Sequence, residues 1–178
     1  ATTIVGAMLF SCTNNAKKVR DLLADKNMPI GIARDINHIY KDSGEINSKL
    51  ITTLLYDFSN RDEHPYNEFP EGLRIVTIDK KTKDSTTITG NYALSYSKTS
   101  VSEIKGNVVI INHTDNIKLE TNQLFWDQKE AYFFTEDGFR LTTGTDTING
   151  FGFEAQQNLK KWIAKDITGD INANQKKL

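Results

Sequence analysis

The run Thr87-Ile88-Thr89-Gly90-Asn91-Tyr92-Ala93-Leu94-Ser95-Tyr96 puts Ile88, Gly90, Tyr92, Leu94 and Tyr96 on even positions. Thr87, Thr89, Asn91, Ala93 and Ser95 take the odd ones. Side chains of a strand alternate between faces, so this run predicts a strand with one apolar and one wettable face. Downstream, Val108-Val109-Ile110-Ile111 is apolar at every position. A short β-branched run of that kind predicts a strand at the centre of a sheet. Together they set the fold class as all-β.

Working outward, further strands are expected at 73–78, 118–121, 123–126, 131–134, 139–143, 147–154 and 162–171, with turn clusters between them. One of those turns is expected at 136–138, and the polar segment 57–71, which holds Pro65 and Pro70, is expected to be a loop. A strand spacing of about 8–12 residues suits a sandwich, a barrel or a stack of hairpins. Glycine followed by Asn or Asp recurs at Gly90-Asn91, Gly106-Asn107 and Gly169-Asp170 and suggests a weak repeat. No proline follows Pro70, so every later backbone N–H can join a ladder. Among 178 residues, 19 are Thr, 18 Ile and 16 Asn, enough chain for one domain rich in β-branched and turn-forming residues. With 22 basic and 23 acidic residues the net charge is −1, which argues against nucleic acid as a partner. The apolar fraction of 38% and mean hydropathy of −0.49 exclude a polytopic membrane protein, and the composition excludes collagen and coiled coil. Composition and period leave sandwich, barrel and open jelly roll open.

The N-terminal segment reads differently. Ile4-Val5-Gly6-Ala7-Met8-Leu9-Phe10-Ser11 is an apolar run ending in a small residue, and it is too short to span a bilayer. It has the pattern of a secretory signal, and the opening at Ala1 carries the expectation that a basic region precedes it. Cys12 is the one cysteine, so no intramolecular disulfide forms. Leu9-Phe10-Ser11-Cys12 resembles a bacterial lipobox, with the bulky Phe10 as its departure, and Cys12 is the expected lipid attachment site. An uncleaved signal anchor and a short buried strand are the alternatives. Residues 1–11 are therefore read as the end of a signal peptide and 12–29 as a tether. Within the tether Val19, Leu22 and Leu23 have helical spacing over 16–26, so it is expected to be helical at most in part.

Catalytic chemistry finds no support. His38, His64 and His113 are scattered, and no Cys or paired His stands at metal-ligand spacing. The nucleophile-elbow pattern is absent, carboxylates cluster in expected turns, and Gly150-Phe151-Gly152-Phe153 lacks the third glycine of a dinucleotide fingerprint. No enzyme activity, metal or cofactor is expected. The aromatics on expected strands fill a β core or, if the sheet folds over as a sleeve, line an apolar groove that a lipid enters.

Several motifs, in order, resemble a known family. They are Asp42-Ser43-Gly44, Pro65-Tyr66-Asn67-Glu68-Phe69-Pro70-Glu71-Gly72-Leu73, Gly106-Asn107-Val108-Val109 and Leu119-Glu120-Thr121-Asn122-Gln123-Leu124-Phe125-Trp126-Asp127. Residues 139–144, Gly150-Phe151-Gly152-Phe153-Glu154-Ala155 and Ile167-Thr168-Gly169-Asp170-Ile171 complete the set. The pattern is similar to LptC, the periplasmic lipopolysaccharide-export protein, in its Bacteroidetes-type lipoprotein-like form. The usual anchor of that family is a transmembrane helix, and here the lipobox-like cysteine stands in its place.

The resemblance implies an open, twisted β-jelly roll over 30–172, followed by a polar tail at 173–178. It implies a non-enzymatic component that takes lipopolysaccharide from the inner-membrane transporter LptBFG and passes it to LptA. It also implies a periplasmic location, held at the inner membrane by the N-terminal lipid anchor. On that reading the lipid groove is expected to hold Ile88, Tyr92, Leu94, Tyr96, Val108, Ile110, Leu119, Leu124, Trp126, Phe139, Leu141 and Phe153. The last strand, with Ile163, Ile167 and Ile171 sharing a parity and expected to face inward, and Thr168 between them, is the expected docking edge for LptA. The alternative is a membrane-anchored β-sheet lipoprotein that binds protein or glycan and keeps a filled core.

Overall fold

The computed structural model describes residues 16–42, 45–79, 82–144 and 146–168. Among the described residues one helix, α1 (Ala16–Asp25), precedes eleven strands. They are β1 (Gly31–Asp42), β2 (Glu45–Phe58), β3 (Tyr66–Phe69), β4 (Leu73–Ile78), β5 (Ser85–Gly90), β6 (Tyr92–Tyr96), β7 (Val101–Asn112), β8 (Ile117–Asp127), β9 (Tyr132–Thr143), β10 (Asp146–Gln156) and β11 (Trp162–Thr168). All eleven join one sheet, in the order β11-β10-β9-β8-β7-β5-β4-β2-β3-β6, with β1 along the free side of β2 and β6 returning to β7. The all-β jelly-roll expectation holds.

A line of backbone irregularities folds this sheet in two. Gly90-Asn91 separates β5 from β6, and β7 shifts register between Lys105 and Val108. β8 and β9 shift between Thr121 and Phe125, and β9 and β10 shift beside Gly152. Gly90, Gly106, Asn122, Gly138 and Gly152 therefore recur at intervals of 14 to 16 residues and sit side by side in space. A bulge bends a strand and sharpens its twist without ending the ladder. Repeated at the same height in neighbouring strands, it creases the sheet. Gly106 and Asn107 form the crease in β7 with φ of 72° and 48°, a left-handed pair that glycine and asparagine tolerate. At Gly90 any Cβ would run into the Ile104 side chain, so the close approach of β5 to β7 requires glycine.

The crease divides the strands into two half-sheets. The first halves of β7 and β9 and the second halves of β8 and β10 lie with β6 and β3; the remaining halves lie with β5 and β4. β2 bridges the two, pairing with β4 over Ser48–Ile51 and with β3 over Tyr56–Phe58. The inner faces pack on each other: Ile88, Ile104, Ile110, Leu119, Leu124, Phe133, Leu141 and Phe153 are fully buried.

Two expectations change. The segment 57–71 contains β3, because Pro65 and Pro70 flank a short strand and neither interrupts it. The expected pairs of strands at 118–121 and 123–126, and at 131–134 and 139–143, are the single bent strands β8 and β9; their intervening polar residues are bulges and no turn forms there. Within the expected tether, Ala16–Asp25 form the helix α1. Arg61 holds that helix's C-terminal end, donating from Nη1 to the Ala24 carbonyl at 2.8 Å and from Nη2 to Asn27 Oδ1 at 2.7 Å.

Candidate functional site

Nine of the twelve expected groove residues come together between the half-sheets. Ile88, Val108, Ile110, Leu119, Leu124, Trp126, Phe139, Leu141 and Phe153 all face inward, each 7% exposed or less. Cross-strand partners align them in rows. Ile75, Ile88, Ile110, Leu119, Leu141 and Ile148 run across one half-sheet, and Ser102, Trp126, Phe133, Ala155 and Trp162 across the other. Phe153 joins the two, its ring 5.0 Å from Phe139 and 5.9 Å from Trp162. Each row places β-branched or aromatic side chains in direct cross-strand contact, the arrangement that stabilises a sheet face.

Tyr92, Leu94 and Tyr96 do not belong to this set. The even-position pattern is broken at Gly90-Asn91, where the chain leaves β5 and starts β6 on another partner. Across that break the parity inverts, as a one-residue slip requires. Ala93, paired with Phe69 and Ile104, is fully buried, while Tyr92, Leu94 and Tyr96 pair with Lys105, Glu103 and Val101 on the outer face. The Tyr92 hydroxyl donates to Glu68 Oε1 at 2.8 Å; desolvation first, then that bond, pushes its pKa above the ordinary tyrosine value. Ile104 and Phe133, both fully buried, were not among the expected residues. The alternation of Ser102, Ile104 and Val108 pointed to Ile104, whereas Tyr132-Phe133-Phe134 carries no parity signal.

The interior opens toward β2. A cavity of about 300 Å³ is bounded on its apolar side by Leu50, Leu55, Phe69, Leu73, Ile75 and Trp126, and on its polar side by Asn47, Ser48, Asn67, Ser95, Ser102 and Gln128, with Tyr40 at its margin. Gln128 Nε2 donates to Ser102 Oγ at 2.7 Å there, and Ser102 Oγ donates to Ser95 Oγ at 3.0 Å. On the far side of Trp126, whose indole donates to Gln157, the turn between β10 and β11 reaches across to the tips of the other half-sheet. Leu159 from that turn is fully buried. Lys160 Nζ lies 2.7 Å from Asp84 Oδ2 and 3.2 Å from Asp115 Oδ2. Hydrogen bonds from Lys160, then Thr82, hold the Asp84 carboxyl below the ordinary carboxylate range, and those to Asp84 and Asp115 raise the Lys160 ammonium.

The edge strands carry the remaining expected residues. In β11, Trp162 and Ala164 pack on the core while Ile163 faces outward, 65% exposed, opposite Glu154. Ile167 pairs with Gly150 in the same unbroken register and is exposed as well, so Ile163 and Ile167 share a parity but face outward, against the expected inward orientation. Thr168 pairs with Asn149 and ends the strand; Ile171 and Cys12 lie outside the described residues. β1, at the other edge, exposes Ile32, Ile39 and Tyr40.

Among the described residues no three His, Cys, Asp or Glu side chains converge to hold a metal ion, and no helix is long and apolar enough to cross a membrane. The chain thus presents a creased antiparallel sheet with an apolar interior. Its sequence matches the profile of the family described as lipopolysaccharide-assembly, LptC-related, over residues 1–162. The chain belongs to the LptC family. Membership assigns it to lipopolysaccharide transport, as an inner-membrane-associated periplasmic component. No curated protein matches the chain by sequence.

Proposed function

We propose that the interior of the creased sheet carries the acyl chains of lipopolysaccharide, with the sugar head left in water. The observation that supports this reading is the pair of mainly apolar rows, which reach from the core to the cavity between β2 and Trp126, where Ser102 ends one of them. Each methylene moved from water to such a surface gains about 0.8 kcal/mol, so a multi-acyl lipid has a strong preference for it. Ile88, Val108, Ile110, Leu119, Leu124, Trp126, Phe139, Leu141 and Phe153 would line the path. β1 and β11 would serve as docking edges, β1 for the periplasmic part of LptBFG and β11 for LptA, because an unpaired strand edge is a template for strand addition. Acylation of Cys12 would hold the chain at the inner membrane, and no catalytic step is assigned to it.

The second reading, a binding module with a filled core, has its own observation: the innermost side chains are fully buried with the half-sheets closed. The purified chain, freed of its N-terminal signal, separates the two. Lipopolysaccharide that co-purifies with it and is displaced by added lipopolysaccharide supports transport through the interior. Protein free of lipid that also fails to take up added lipopolysaccharide supports the filled core.

A further inference from the structure

The half-sheets meet along two very different boundaries. On the crease they are joined by continuous backbone. On the open side they are joined by side chains, and the densest group of these comes from one turn, residues 156–161 between β10 and β11. That turn belongs to the half-sheet of Trp126 and Phe133, yet Lys160 pairs with Asp84 and Asp115, which lie in the turns of the other half-sheet. Asp84 is 4% exposed at its side chain, so this carboxylate is sealed beneath the lysine. Asn112, itself fully buried, donates from Nδ2 to the Asn158 carbonyl at 2.7 Å and accepts from the Thr114 and Asp115 amides through Oδ1. Gln157 Oε1 accepts from the Trp126 indole at 3.1 Å, tying the turn back to its own half-sheet. Leu159, fully buried, is the apolar stopper beneath the polar bonds.

A polar notch of about 220 Å³ separates Thr77, Asp79 and Thr86 from Glu130 and Ala131. The cavity toward β2, at about 300 Å³, stands at the small end of the range for ligand pockets, too small for a lipid of several chains while the half-sheets stay closed.

We infer that the 156–161 turn is a latch: Leu159, Lys160 and the Asn158 carbonyl hold the two half-sheets shut, and lipid is taken into the interior only when they release. The inference rests on the reading of the interior as the lipid path. Its cause is geometric. Among the described residues no strand pairing crosses the open side at this end, so opening there breaks a few side-chain bonds and uncovers Leu159 first, then the core beneath it, while the crease keeps the sheet intact. A binding-competent state populated only when the latch is open lowers apparent affinity in proportion to its population.

The test uses the whole chain with Cys12→Ser, Asp115→Cys and Lys160→Cys, positions more than a third exposed and so open to labelling. A short, reducible bis-maleimide bridges the two thiols and fixes the turn to the other half-sheet. Two probes are followed: anilinonaphthalene sulfonate, which reports exposed apolar surface, and purified lipopolysaccharide. The bridge is expected to slow uptake of both by at least about tenfold, with uptake restored on reduction. Equal uptake with and without the bridge overturns the latch. So does lipopolysaccharide binding that persists in the bridged form while dye uptake is blocked. Dye uptake that responds to the bridge, with no lipopolysaccharide bound in either form, upholds the latch and overturns the lipid reading. Leu159→Ala, a milder change, is expected to speed dye uptake while circular dichroism still shows the folded sheet; unchanged uptake in that folded variant also overturns the latch.

Discussion

Ala93 and Leu94 are neighbours in β6, and the reversal of parity at Gly90-Asn91 gives them opposite fates. Asparagine at each position measures which face is inside. Ala93 is fully buried between Phe69 and Ile104, so Ala93→Asn brings an amide with no partner into an apolar layer. The unpaired amide costs about 1–3 kcal/mol and the extra volume about as much again, roughly 2–6 kcal/mol together. Leu94 lies on the outer face between Glu68 and Glu103, where an amide reaches water or a carboxylate. Leu94→Asn forfeits only part of one leucine's burial, about 1 kcal/mol. For a chain of this length 1 kcal/mol moves the melting temperature by about 2–4 °C. Thermal unfolding followed by circular dichroism is therefore expected to fall by roughly 4–24 °C for Ala93→Asn and by at most about 4 °C for Leu94→Asn. Equal shifts, or a larger one for Leu94→Asn, would refute the parity reversal and with it the placement of the crease.

Gly90→Val is expected to lower the melting temperature by several degrees, because its side chain meets Ile104 at the crease; differential scanning calorimetry reads the shift. The Asp84–Lys160 pair gives a pH window. Asp84 is depressed below 3.8, so its contribution is present above that value and is lost as pH falls through its folded pKa. Lys160 is raised above 10.5, so its contribution is present below that value and is lost as pH rises through its folded pKa. Amide exchange in the 156–161 turn is thus expected to accelerate, beyond its intrinsic pH dependence, in acid below 3.8 and in alkali above 10.5, and in Asp84→Asn the acid step disappears. Thr168→Pro removes one backbone donor at the end of β11 and is expected to weaken LptA binding while the domain stays folded; unchanged affinity by calorimetric titration places that interface elsewhere.

Much of this architecture was legible in the sequence, and the misses have a common cause. Alternation in 87–96 and the apolar run at 108–111 located strands correctly, because burial on one or two faces imposes a period on the residue types. The same alternation misassigned Tyr92, Leu94 and Tyr96, since a pattern of residue types continues smoothly through Gly90-Asn91 while the backbone does not. The polar residues at 136–138 read as a turn, and Asn122 as a break between two strands, because a bulge and a turn draw on the same residues. What the sequence held in plain view was their spacing: Gly90, Gly106, Asn122, Gly138 and Gly152 mark one line across the sheet. The latch was not legible, since it joins Asp84, Asn112 and Asp115 to residues more than 40 positions away through polar side chains common to any turn.

The central claim is that lipopolysaccharide travels inside the crease. The most direct measurement places a photo-activated cross-linking residue at Leu124, on the inner face, and at Leu94, on the outer face, in cells that make the protein. The account predicts a lipopolysaccharide adduct at Leu124 and none at Leu94. Adducts of equal yield at both positions, or one at Leu94 alone, would contradict it.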